Sequence, residues 1–520
     1  MNDRFVDIRV STLQVCKGDV LFCSREAEPY LTVEVLENIS KLICEFGFFK
    51  RILKYNKISN GCLEQNFYKI DVLSNKEFDK KLLSSLKERY QINSKLIAVT
   101  GTKGKTSTSW FVCQLLSKNS LACGYIGTLG VYFFDKQGNM ISIANSSLTT
   151  PNISDMYIFL HRLSELGANF IVFEASSHSL KQKRIAGIDV DCACFTNLSQ
   201  DHLDYHGTMR KYFFAKSLLF SRYLKKQDGL AVINHDDKKY KNIQNICERN
   251  NIKNILSFGT SKKCDLQILT RGYKQDNRIQ IANIRFGDKT YDFSTEIIGN
   301  FQISNIALAL MVCCYIGCVP MCKLCNDVSL LKAPVGRMQK IDTSVKTKAD
   351  FIVDFAHSPK SLEESLLSLR QIYKYIVLVF GCGGDRDRQK RPIMLEIAKY
   401  LTNKVIITDD NPRTENRNLI IDDILSYHDG KQNDLLNDEF VQDEIEKIRE
   451  KYKDQDDNEV FSPTIIKDRR EAIRYAVKNF RNKDNTCVVV AGKGHENYQI
   501  IGTTKTHFSD QDEITNVLKV

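Results

Sequence analysis

A chain of 520 residues is too long for one compact core and predicts about three domains of roughly 150 residues each. Apolar residues make up 42% of it, enough to build cores, and the formal charge of +11 is spread along the chain without a basic block. That spread excludes a nucleic-acid tail or membrane-binding patch and suits small anionic substrates.

Residues 1–93 carry short mixed apolar runs and no motif that reads as chemistry. The amino-terminal stretch MNDRFVDIRVSTLQV is charged and lacks an apolar core, and the 17 cysteines are an odd number, so a reducing cytoplasmic setting is expected. KLIAV at 95–99 predicts a buried strand that runs into a glycine loop, and TSTSWFVCQLLSKN predicts the helix after it. The helical segment DMYIFLHRLSELGA and the strands NFIVFEAS and VDCACFTNL continue the alternation, which argues for a parallel sheet covered by helices. IALALMVCCYIGCVPMC (306–322) has no charge over 17 residues but contains Pro320, and it reads as a buried helix rather than a membrane span. At its end, Cys322 and Cys325 have zinc-finger spacing without a second pair, so packing thiols are the favoured reading over zinc.

A second α/β series begins near 338, with strands in ADFIVDFAH, KYIVLVFGCGG, NKVIITDDNP and TCVVVAGKG, each ending in polar or glycine-rich residues where ligands collect. The highly charged stretch at 430–460 is expected to be a solvated insertion with one helix. The expected architecture is thus α/β throughout. It has a small N-terminal α/β domain (1–93), a central P-loop ATPase-like parallel sheet (94–333) and a C-terminal Rossmann-like domain (334–520).

The glycine loop is Gly101, Thr102, Lys103, Gly104, Lys105, Thr106 and Ser107, one of the shorter forms, since Val99 stands where a longer phosphate loop has glycine. Backbone N–H groups freed by glycine can wrap a phosphate, Lys105 brings positive charge, and the Thr106 hydroxyl can face Mg²⁺. Glu174, and Asp201, His202, Asp204 and His206 in SQDHLDYHG, offer carboxylates and imidazoles for a divalent cation at the same sheet end.

The segments GTKGKT, EASSHSLKQKRIAG, TNLSQDHLDYHGTMRKYFFAK, VGRM, DFAHSP, GCGGDRDRQKRP, DNPRTE and AGKGHENYQ, in this order over roughly 95–515, resemble the Mur ligases of peptidoglycan synthesis. The resemblance implies ATP-driven amide formation. A carboxylate of UDP-N-acetylmuramoyl-L-alanyl-D-glutamate would attack the γ-phosphate, and an amine would then displace phosphate from the acyl phosphate. It further implies two Mg²⁺, one at Thr106 and Glu174, the other at Glu174, His202 and Lys216, the last modified to a carbamate. By the same resemblance, Lys105, Glu174, His202 and Lys216 would be the catalytic set.

The resemblance also implies that Asn305, Arg337, Asp354 and His357 join the loop as ATP contacts. It implies Thr12, Thr149, Thr150, Ser176, Gln182 and Arg184 as contacts to the UDP-linked substrate, Thr12 being what remains of the family's uridine motif at Ser11-Thr12-Leu13. Arg386, Asp410, Asn411, Pro412, Arg413, Gly492 and Glu496 are implied as the amino-acid site. The guanidinium fork of Arg413 can hold a carboxylate through two bonds, which favours meso-diaminopimelate over L-lysine. Departures from the family pattern stand at Ser179, Gln302, Gln339 and Lys360, with effects expected on substrate affinity. A monomer with no membrane span and no nucleic-acid partner is expected. The competing activities are an L-lysine-adding or folylpolyglutamate-forming ligase and, from another class, a nucleic-acid-dependent ATPase.

Overall fold

The structure is a computed structural model. It describes the strand backbones at 8–9, 19–23, 39–45 and 70–73, and residues 75–519 apart from 147, 275–278, 343–344, 429–433 and 456–460. Thr12 lies outside the described residues. The chain divides into two compact units, residues 1–266 with 308–321 and residues 267–307 with 322–520.

In the first unit, β1 (Ile8–Arg9), β2 (Asp19–Cys23), β3 (Ile39–Glu45) and β4 (Ile70–Leu73) pair in chain order, all parallel. Helix α1 (Asn75–Arg89) leads to β5 (Lys95–Thr100), which is followed by α2 (Lys105–Lys118), β6 (Cys123–Gly127), β7 (Gly130–Phe134) and β8 (Met140–Ala144). Next come α3 (Ile153–Glu165), β9 (Phe170–Glu174), α4 (Ser177–Lys181), β10 (Cys192–Phe195), α5 (Leu203–His206) and α6 (Met209–Leu218). The series closes with β11 (Leu230–Asn234), α7 (Tyr240–Arg249) and β12 (Asn254–Gly259).

The strands lie in the order β12-β11-β10-β5-β9-β6 and are parallel. β7 and β8 are added antiparallel, a hairpin extension the sequence reading did not foresee. The central strands are buried along their whole length, as parallel strands covered on both faces must be. Their register places Val99 opposite Glu174 and Thr100 opposite Phe195, so the glycine loop, Glu174 and the TNLS segment share one sheet end.

Thiols are part of this packing. Cys113 and Cys123 approach to 3.4 Å and Cys192 and Cys194 to 3.8 Å between sulfurs, all four fully buried and free. In α8 (Asn300–Tyr315), Ile306 to Cys313 are buried without exception, in keeping with the buried-helix reading. Among the described residues no helix is long and apolar enough to cross a membrane. Cys322 is exposed while Cys325 is buried.

The second unit contains β13 (Leu266–Tyr273), β14 (Gln280–Phe286) and β15 (Lys289–Thr295), the last two antiparallel. Its main sheet uses β16 (Gln339–Lys340), β17 (Asp350–Asp354), β18 (Tyr375–Phe380), β19 (Lys404–Ile407), β20 (Thr464–Ile465) and β21 (Thr486–Ala491). The order β16-β17-β21-β18-β19-β20 is parallel except at the β16 edge.

Helices α9 (Pro359–Arg370), α10 (Lys390–Leu401), α11 (Arg417–Leu425), α12 (Glu439–Tyr452), α13 (Arg469–Phe480) and α14 (Asp510–Lys519) flank this sheet, and β22 (Tyr498–Ile501) with β23 (Thr504–His507) form a hairpin. The insertion holds the expected helix, α12, but the helix is not simply solvated. Val441, Ile445, Ile448 and Tyr452 recur at helical spacing and are buried in the same core as α10.

Candidate functional site

In the first unit the glycine loop leaves β5 with Gly101 at φ +150° and enters α2 at Gly104, left-handed at φ +83°. A Cβ on Gly101 would collide with the Thr196 hydroxyl, so the loop is closed against the TNLS segment. Several bonds fix it there: Thr102 N–H donates to the Asn197 carbonyl at 2.8 Å, Lys103 N–H to Asn197 Oδ1 at 3.1 Å, and the Thr196 hydroxyl to the Lys103 carbonyl at 2.6 Å. Lys105 folds back, its Nζ donating to the Gly101 and Thr102 carbonyls at 2.9 Å each.

Glu174 ends β9 with no exposure, and its carboxylate is saturated by local donors. Oε1 accepts from the Tyr125 hydroxyl at 2.6 Å and the Thr128 N–H at 2.9 Å. Oε2 accepts from the Thr106 hydroxyl at 3.0 Å and the Thr128 hydroxyl at 3.2 Å. Thr106 and Glu174, expected to share a Mg²⁺, are thus brought into direct contact.

Lys216, on α6 and 1% exposed, donates from Nζ to the Gly101 carbonyl at 2.6 Å and lies over the Tyr212 ring. Burial, reinforced by the charge of Lys105, holds its amine well below the usual lysine range. His202 sits in a left-handed conformation at φ +52°, its ring 4.9 Å from that of His178. It makes no hydrogen bond to Thr106, Glu174 or Lys216, and among the described residues no three His, Cys, Asp or Glu side chains form a ready metal cluster. His206 instead bonds the Ser177 hydroxyl at 3.0 Å, and burial pushes both His178 and His206 down to about 4.

The residues expected to meet the UDP-linked substrate gather beside Glu174. The Thr150 hydroxyl donates to the Glu174 carbonyl at 2.6 Å and accepts from Ser176 N–H at 3.1 Å, while Arg184 donates to the Thr150 carbonyl at 3.0 Å. The Thr149 hydroxyl lies 3.2 Å from that of Thr128, and Gln182 reaches the Tyr205 hydroxyl at 3.1 Å. Ser179, a departure from the family pattern, bonds back to the Ser176 carbonyl at 2.7 Å.

In the second unit the Arg337 guanidinium stacks 4.3 Å over Phe355, whose other neighbours are the rings of His357 at 4.6 Å and His495 at 5.1 Å. Asp354 accepts from Met338 N–H, Phe355 N–H and the Ser365 hydroxyl, and burial raises its carboxyl above the usual range. Asn305 donates to the variant Gln302 at 2.9 Å, and the variant Gln339 accepts from Gly336 N–H at 2.8 Å.

The amino-acid residues occupy the ends of β18, β19 and β21. Arg413 is left-handed at φ +53° and donates from Nη1 to the Gly384 carbonyl at 2.9 Å; Nε and Nη2 bond nothing among the described residues. Asn411 donates to Glu496 at 2.9 Å, and a Cβ on Gly492 would press on Asp410. Arg386 is exposed and bonds only the Asp385 carbonyl among the described residues. Lys493, unexposed, donates to Asn411 at 3.1 Å and Glu496 at 3.2 Å and lies 3.9 Å from Asp410.

Lys493, Tyr125, Thr128, Thr196 and Asn197 are the residues the sequence reading missed. Thr196, Asn197 and Lys493 lie inside quoted motifs, whereas Tyr125 and Thr128 have no local signal.

Residues 99–313 match the Mur ligase middle domain and residues 336–494 the Mur ligase, glutamate ligase domain. The chain is 36% identical over 420 residues to UDP-N-acetylmuramoyl-L-alanyl-D-glutamate–2,6-diaminopimelate ligase of Rickettsia bellii, covering 80% of this chain and 79% of the relative. A solved structure of an enzyme with that name aligns at TM-score 0.62 with 28% identity over 99% of this chain and 95% of the other. A MurF ligase from Thermotoga maritima in complex with ADP shares the fold at TM-score 0.60 and 16% identity, over 100% of this chain and 98% of the other.

Proposed function

The chain belongs to the Mur ligase family, and on that premise we propose that it joins meso-diaminopimelate to UDP-N-acetylmuramoyl-L-alanyl-D-glutamate, forming ADP and phosphate. In this reading the divisions 1–93, 94–333 and 334–520 dock UDP, bind ATP and receive the amino acid, in a cytoplasmic monomer. The D-glutamate carboxylate attacks the γ-phosphate and releases ADP. The amine of diaminopimelate then attacks the acyl carbon, phosphate leaves, and the amine gives up a proton.

Two anions must meet in the first step, so neutralising charge is the main demand on the site. Lys105 meets that demand once its ammonium turns from the Gly101 and Thr102 carbonyls to phosphate oxygens, while the loop N–H groups hold the remaining charge. Thr149, Thr150, Ser176 and Arg184 orient the carboxylate beside Glu174.

The donor set fits Mg²⁺: Thr106 and Glu174 offer hard oxygens, and His202 with Lys216, once carbamylated, would hold a second ion. Mg²⁺ bound there would supply further charge neutralisation. Burial raises the neutral share of the Lys216 amine, the form that adds CO₂, losing a proton and gaining two carboxylate oxygens.

The observation that carries the amino-acid assignment is Arg413, whose guanidinium keeps Nε and Nη2 unbonded among the described residues, in the loop after β19. The distal carboxylate of diaminopimelate satisfies them, whereas L-lysine leaves them unpaired. Phosphate release measured with meso-diaminopimelate, L-lysine and L-glutamate, each with the UDP-linked substrate, tests the assignment. Release with diaminopimelate alone, and a KM for it raised on the order of 100-fold by Arg413→Ala, is expected. Release driven by added RNA or DNA would instead favour an ATPase.

A further inference from the structure

The Arg413 backbone stands in a left-handed conformation that a residue with a Cβ adopts only when its surroundings enforce it. Its own N–H donates to the Ile500 carbonyl at 3.1 Å and its carbonyl accepts from Gly502 N–H at 2.7 Å, so the β22–β23 hairpin holds the backbone directly, and a stitched pair of loops holds its flanks. Gly384 N–H donates to the Asn411 carbonyl at 2.9 Å, and Asp385 Oδ2 accepts from Thr414 N–H at 3.0 Å and from its hydroxyl at 2.9 Å. Glu415 Oε2 accepts in turn from Asp385 N–H at 2.8 Å.

Behind Glu415 stands Arg391 of α10, whose side chain is 0% exposed. Its Nη1 and Nη2 donate to the two Glu415 oxygens at 2.6 and 2.8 Å, in the planar double-bonded arrangement. The same guanidinium donates to the Gly383 carbonyl at 3.1 Å and to Asp423 at 2.8 Å. It thus grips both loops from beneath without reaching the surface on which Arg413 presents its free edge.

We propose that Arg391 is a positioning residue of the amino-acid site: through Glu415 it fixes the two loops so that the Arg413 guanidinium meets the substrate carboxylate. The inference rests on the assignment of Arg413 to that carboxylate. It adds a specificity role for a buried arginine remote from the reacting atoms. A fork held in register discriminates by geometry as well as charge, and a shift of about 1 Å at such a contact is costly.

The test uses the full-length chain with Glu415→Gln and Arg391→Lys, each alone and each combined with Arg413→Ala. Initial phosphate release is followed against meso-diaminopimelate and against ATP. Each single variant should raise the KM for diaminopimelate on the order of tenfold, with kcat and the KM for ATP within about twofold of the parent. In the combinations KM should rise no further than in Arg413→Ala alone, because the effect passes through Arg413.

An unchanged KM for the amino acid overturns the proposal, as does a uniform loss in all parameters or full additivity with Arg413→Ala. Glu415→Gln preserves the shape of the site and keeps the test available if Arg391→Lys fails to fold. A parent enzyme that uses a different amino acid refutes the diaminopimelate assignment alone, and the same comparison then runs against that acceptor. A parent that uses no acceptor refutes both.

Discussion

The Thr106 hydroxyl donates to Oε2 of Glu174 at 3.0 Å, joining the start of the helix after the phosphate loop to the end of the neighbouring strand. Glu174 is held by four donors from three residues, which fix its position. Glu174→Gln would put an amide N–H₂ against one of these donors and remove the negative charge. Phosphate release should fall on the order of 100-fold or more with the fold retained, as judged by circular dichroism. A variant turning over near the parent rate would remove Glu174 from the catalytic set.

Gly101 tests the loop itself. At φ +150° and against the Thr196 hydroxyl, Gly101→Ala has no room for its methyl group. The loop must move off the TNLS segment, and nucleotide affinity measured by calorimetry should drop on the order of tenfold or more. Unaltered ADP binding would mean that the observed loop conformation is not the one that holds phosphate.

Lys493 provides a stability prediction. It is unexposed and is a cation facing Glu496 and Asp410. Lys493→Met removes the cation bonded to Glu496 and leaves that carboxylate only its Asn411 donor and the more distant charge of Arg469, which should cost about 3 kcal/mol in urea unfolding. A loss below roughly 1 kcal/mol would show that solvent reaches this cluster.

His495 predicts a pH dependence. Burial, with Arg337 and His357 nearby, pushes its imidazole down from the usual 6.5 to about 4. Between those values the unfolded chain takes up a proton that the folded chain does not, so stability rises with pH across this window and is lost as pH falls through it. In His495→Asn the decline from pH 7 to about 4.5 should be shallower by ~2 kcal/mol. Equal declines in the two proteins would refute the buried neutral imidazole.

Much of the framework was legible because parallel strands buried on both faces are uninterrupted apolar runs, as in KLIAV and VVVA, and each ends where a glycine or polar loop begins. The phosphate loop, Glu174 and Lys216 could be named from motifs, and the fold brings all three around the Gly101 carbonyl or the Thr106 hydroxyl. Tyr125 and Thr128 could not, because they act on Glu174 across the sheet and no local spacing marks them. Lys493 was passed over because a lysine in a glycine-rich loop reads as a surface residue until its carboxylate neighbours are known. The helix at 439–452 was misread because its charge drowned out an apolar stripe of four residues. That stripe, rather than the overall polarity, decides where the helix lies.

The interior sulfurs of the first unit work as a built-in clock. An alkylating reagent meets the exposed Cys318 and Cys322 at once, but Cys113, Cys123, Cys192 and Cys194 only in the moments when the nucleotide-binding sheet parts. The interval before those four are tagged therefore counts such openings, and a nucleotide seated on the loop would lengthen it.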